Sequence, residues 1–124
     1  MSDVHEPRFS PEARARAERT IEVAAVFAAN ADAILAAMPD VPPGHVLVGI
    51  VDADHAFAGT HHVETESMVT RVPELEAGGW AMVFPQGTVR DDIVRRTVEL
   101  AEINRQRIAA IDRIVARRAS RDGG

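Results

Sequence analysis

Between Val51 and Glu66 the chain reads VDADHAFAGTHHVETE, a stretch holding three of its five histidines and four carboxylates, Asp52, Asp54, Glu64 and Glu66. Two chemistries fit these residue types. The first is metal binding, because imidazole and carboxylate together make up many zinc, iron and manganese sites. If the backbone around residues 61–66 is extended, His62, Glu64 and Glu66 share one face while His61 and Val63 point to the other. His62-x-Glu64 then has the local form of a facial triad, and His55 or His45 would have to supply a further ligand. This makes His55, His62 and Glu64 the candidate ligands for a divalent metal. The second chemistry is metal-free proton transfer, with His55, His61 or His62 beside Asp52 or Asp54. The two aspartates stand two residues apart at the end of an apolar run, so they point the same way, and adjacent carboxylates can raise one another's pKa. Phe57, Trp80 and Phe84 are candidates to line the pocket such a site needs. The same residues also fit a plainer role, as turn-forming aspartates, solvated histidines and core aromatics.

Other chemistries are excluded or carry no signature. The chain of 124 residues has no cysteine, so disulfides, thiolate metal sites and cysteine nucleophiles are absent. No helical H-E-x-x-H zinc pattern, EF-hand loop, G-x-S-x-G elbow or phosphate-cradling glycine loop occurs in it. The net charge of −5 is unevenly spread. Residues 40–87 carry seven acids against Arg71 alone, whereas residues 88–124 carry nine arginines against six acids. Arginines 105, 107, 113, 117, 118 and 121 make the end of the chain basic enough to consider a nucleic-acid phosphate backbone as a partner. Against that, the region has no aromatic residue for stacking and no recognised binding motif.

The elements that would position these residues follow from periodicity and capping. Ser10-Pro11-Glu12 is a helix start, with a capping hydroxyl, a proline suited to the first helical position and an acid at the positive end of the dipole. An alanine-rich helix is expected from there to Met38, ahead of a turn formed by Pro39 to Gly44. His45–Val51 is a continuous valine-rich run and reads as a buried strand. Extended segments are expected near Ala56–Ala58 and over Val63–Val72, and Trp80–Phe84 as a further strand, joined as antiparallel neighbours by short connections. Thr88 and Asp91 have capping-box spacing ahead of a long helix reaching about Ala119. Its apolar seam reads Ile93, Thr97, Leu100, Asn104, Ile108, Ile111 and Val115.

A helix of some thirty residues is about 45 Å long, while a compact domain of this size is only about 35 Å across. It must project beyond the domain or pack on a partner's helix, and Asn104 at a seam position is what a register-setting polar residue looks like. The expected architecture is therefore α+β: an N-terminal helix, a three- to four-stranded antiparallel sheet and a long C-terminal helix that mediates a homodimer. Residues 10–119 form the single domain, between flexible segments 1–9 and 120–124. No apolar run reaches the ~20 residues of a membrane span, and MSDVHEPRF is too polar for a signal peptide, so a cytoplasmic location is expected. The expected function is that of a homodimeric binding or accessory protein recognising a partner protein or a small ligand. A small enzyme using the His/carboxylate cluster and a nucleic-acid binder are the alternatives.

Overall fold

The computed structural model describes residues 11–65, 75 and 78–123. In chain order these form α1 (Pro11–Ala29), α2 (Ala31–Ala37), a 3₁₀ turn (Met38–Asp40), β1 (His45–Val51), β2 (Phe57–Glu64), β3 (Trp80–Phe84) and α3 (Arg90–Gly123). The fold is α+β, with an N-terminal helix, three antiparallel strands among the described residues and a long C-terminal helix. Of the extended segment expected over Val63–Val72, residues 66–72 lie outside the described residues, as do Ser10 and Glu66.

The first helix is not continuous to Met38. Its axis bends by 59° between α1 and the segment from Ala31 to Asp40. Asn30 is the cause: its side-chain amide donates to the Val26 carbonyl at 2.8 Å, and its backbone N–H is shared between Val26 and Phe27 at 3.2 Å each. An asparagine that competes for its own helix's carbonyls breaks the ladder and turns the chain. The turn lets Ile34 and Phe27 close on one core.

β1 lies at the centre of the sheet, in the order β2-β1-β3, so β3 pairs with β1 and not with the strand before it. That accounts for β1 being apolar on both faces. Leu47 and Val51 face the helices together with Trp80, Met82 and Phe84, while Val46, Val48, Ala81 and Val83 form a second cluster on the opposite face. The Phe27 and Phe84 rings meet edge to face, 6.3 Å apart, over Gly49. A Cβ at Gly49 would come within 3.1 Å of one ring and 3.2 Å of the other, so glycine is what lets the aromatic pair settle onto the strand.

α3 begins one residue later than the Thr88 capping box implies. The hydroxyl of Thr88 donates to the Pro85 carbonyl, and Asp92 reaches back to accept the Val89 N–H at 3.1 Å. Val89 thus occupies the N-cap position and Asp92 the third helical one, so only the acidic half of the box forms. The 34 residues of α3 span about 51 Å, against about 28 Å for the 19 of α1. The two helices pack along one another within the chain, burying Ile93, Thr97, Ala101, Asn104 and Ile111 of α3. Ala101, not Leu100, is the buried seam residue at that level. Asn104 is only 3 % exposed; its amide donates to the Leu100 carbonyl at 2.8 Å and its oxygen accepts from Arg107. Its polar atoms are satisfied inside its own helix, so it does not need a partner chain. No single helix is long and apolar enough to cross a membrane.

Candidate functional site

The β1–β2 turn places the aspartates and His55. Asp52 Oδ1 accepts two backbone N–H bonds, from Asp54 at 2.9 Å and Ala56 at 3.0 Å. The Asp52 N–H donates to the Ala56 carbonyl at 2.9 Å, and the His55 N–H donates to the Asp52 carbonyl at 3.0 Å. Asp52 is thereby committed to closing its own turn, as short polar side chains commonly are. Asp54 stands exposed at the turn's tip. The turn holds His55 at φ 64°, the left-handed region that a non-glycine residue enters only under local constraint.

In that conformation His55 leans onto α1. Its Nδ1 lies 2.6 Å from Glu22 Oε2, and its ring meets Trp80 edge-on with centroids 5.1 Å apart. His55 is three-quarters buried, whereas Glu22 is 64 % exposed. A carboxylate on Nδ1 favours the proton there and leaves Nε2 as the accepting nitrogen of the neutral ring. Glu22 carries no mark in the sequence: it sits 33 residues before His55 on a polar helix face, where a solvated acid is the ordinary expectation. Trp80 and Phe84 belong to the core, at 5 % and 0 % exposed, and Phe57 packs partly buried against the same cluster.

The remaining histidines lie elsewhere. His61 pairs with Val48 and faces away from the helices, while His62 pairs with Leu47 on the helix side. The His62 ring stands edge-on to His45, 5.7 Å between centroids, and Glu64 is opposite His45 in the register. His62 and Glu64 do share a face, as alternation requires, but His55 is held by Glu22 and Trp80 at the turn. The candidate set His55, His62 and Glu64 is therefore not brought together. Among the described residues no group of three or more histidines and carboxylates is placed to hold a metal ion.

Two surface features lie on α3. At its start, Arg96 donates to the Val83 carbonyl at 2.8 Å and lies 5.3 Å from the centre of the Phe84 ring, and burial pushes its pKa down. On another side of α3, an open groove of about 210 Å³ runs between the helices, lined by Ala24, Ala25 and Ala28 of α1 and by Val98, Ala101 and Arg105 of α3. Val98 on its α3 side is 58 % exposed, and Val94, one turn before it on the helix, is 39 % exposed. The groove went unread in the sequence because its valine lies off the buried seam and its floor is alanine, which periodicity treats as neutral. At 100° per residue, positions 107, 113, 117, 118 and 121 fall within about 140° of the helix circumference, with Arg105 about 80° outside that arc.

Comparison with protein-family models, curated proteins and solved structures finds no match for this chain.

Proposed function

We propose that the chain is a small cytosolic homodimeric binding or accessory protein that recognises a partner protein or small ligand through its helical surface. The observation that carries this reading is the apolar exposure of α3: Val94, Val98 and Val115 stay 39 %, 58 % and 51 % exposed on a helix whose buried seam is already paired with α1. Exposed apolar groups of this kind, Val98 among them lining the groove against α1, are typical of an interaction surface. Val115 lies one turn past the contact of Arg14 with Asp112, where the start of α1 meets α3, and its neighbours three and four residues away on the same helix face are Ile111, Asp112, Arg118 and Ala119.

A photo-reactive residue at Val115, introduced in the source cell, tests the reading. A discrete adduct with one other protein, reproduced from purified components and competed away by the unlabelled wild-type chain, supports it. A position 115 that never cross-links to anything but solvent and its own chain contradicts it.

The His55–Glu22 pair against Trp80 favours a second reading, metal-free acid–base chemistry on a small molecule, with His55 Nε2 as the base. A small-molecule screen read by His55 ring resonances and Trp80 fluorescence checks it. Ligands that move both signals and lose affinity in Glu22→Gln support it, and a screen with no such ligand counts against it.

A further inference from the structure

From the groove between α1 and α3 we infer that this face is where a second copy of the chain docks, the two α3 helices crossing antiparallel about a two-fold axis at Val98. The inference rests on the homodimer reading above and adds its surface and geometry. At 100° per residue, Asp91, Val94, Arg95, Val98, Ala101, Glu102 and Arg105 fall within about 120° of the α3 circumference, on the side that opens to the groove. Their charges run negative, positive, apolar, negative, positive through Asp91, Arg95, Val98, Glu102 and Arg105.

Such an order is complementary to its own reverse. A two-fold axis at Val98 sends each residue to the one equally far along the helix in the other direction. Asp91 then meets Arg105 of the second copy, both seven residues from the axis, and Arg95 meets Glu102 to within one residue. Each pair occurs twice. Parallel pairing would instead set Asp91 against Asp91 and Arg105 against Arg105, which like-charge repulsion disfavours. At the axis the two Val98 side chains face one another and the alanine floors of Ala24, Ala25, Ala28 and Ala101, which are small enough for close approach of the backbones.

The charges are available for this. Arg95 and Arg105 pair within their helix with Asp92 at 3.0 Å and Glu102 at 3.6 Å, and both arginines are about 60 % exposed. Exposed pairs three residues apart hold each other weakly, so turning toward a neighbouring chain gives up little. Asp91 is exposed in the first turn of α3.

Two experiments on the full chain test the geometry. The protein has no cysteine, so Val98→Cys introduces a single thiol. Helices in contact across a two-fold axis bring paired Cα atoms within the ~4.4–6.8 Å a disulfide needs, so mild oxidation should link two chains, whereas Val115→Cys, far from the axis, should not. In parallel, Asp91→Arg and Arg105→Asp should each weaken the dimer by roughly tenfold or more, since each reversal spoils two pairs. The double variant should recover most of the wild-type affinity. Asp91 and Arg105 are about 21 Å apart along their own helix, so only a second chain can couple them, and any cost of Asp91→Arg to the start of α3 persists in the double variant. Losses that simply add, or a Val98→Cys chain that stays unlinked while the wild type is dimeric, would overturn the inference and leave the homodimer reading intact. A wild-type chain that is monomeric throughout would overturn both.

Discussion

Asp52→Ala separates a structural aspartate from a catalytic one. The carboxylate accepts two backbone N–H bonds, from Asp54 and Ala56, and these hold the left-handed His55 between them. A net hydrogen bond contributes about 0.5–1.5 kcal/mol, and both of these are solvent-accessible, so their joint loss should cost about 1–2 kcal/mol. For a domain of this size that lowers Tm by roughly 4–8 °C. Asp52→Asn keeps an acceptor oxygen at the same place and should cost less than half as much. Urea and thermal unfolding of the three proteins measure the difference. The His55 ring resonances report whether the Glu22 contact is released in Asp52→Ala alone. Ala and Asn variants that both unfold like wild type would refute the turn argument. An Asn variant as damaged as the Ala variant would show that the charge, and not the acceptor, is what the turn uses.

Three further outcomes follow from the packing. Gly79→Ala should destabilise the chain by about 1–3 kcal/mol in urea, because its Cβ would meet the Val51 carbonyl oxygen at 2.7 Å and only backbone movement can relieve that. Asn104→Ala should cost about 1–2 kcal/mol yet leave the sedimentation mass unchanged, since Asn104 is satisfied within its own chain; a changed mass would place it at the contact between copies. In acid, the Val89 N–H holds the Asp92 carboxyl below its ordinary 3.8, and the hydrogen bonds from Arg14 do the same for Asp112. Folded-state values below the unfolded ones mean that this stabilisation is complete above the ordinary carboxylate range and is lost as pH falls through the folded values. Urea midpoints should therefore drop below about pH 4, and less steeply in Asp92→Asn and Asp112→Asn than in the wild type.

What could be read in advance divides along the range of the forces involved. β1, β3 and α3 were legible because a continuous valine run, a short aromatic strand and a long amphipathic repeat each carry their signal locally. The break at Asn30 was not, since an alanine-rich run hides one asparagine until its amide is seen on the Val26 carbonyl. Pairing of β3 with β1 is a choice between strands that short connections do not decide. At the candidate site, alternation correctly put His62 and Glu64 on one face, and the aspartates at the strand end proved to include a turn-closing one. The position of His55 depended on Glu22 and Trp80, 33 residues before it and 25 after it, which no local pattern ties to the turn. The length of α3 was legible, but it is chiefly α1 of the same chain that the seam meets, and the surface offered to a second copy lies on the flank beside that seam.

Sedimentation equilibrium of the untagged chain, from micromolar to submillimolar concentration, is the most direct test of the homodimer on which both functional inferences stand. The account predicts a mass rising to twice 13.4 kDa, with a salt dependence that reflects the Asp91–Arg105 and Arg95–Glu102 pairs. A mass that stays at 13.4 kDa over the whole range would contradict it.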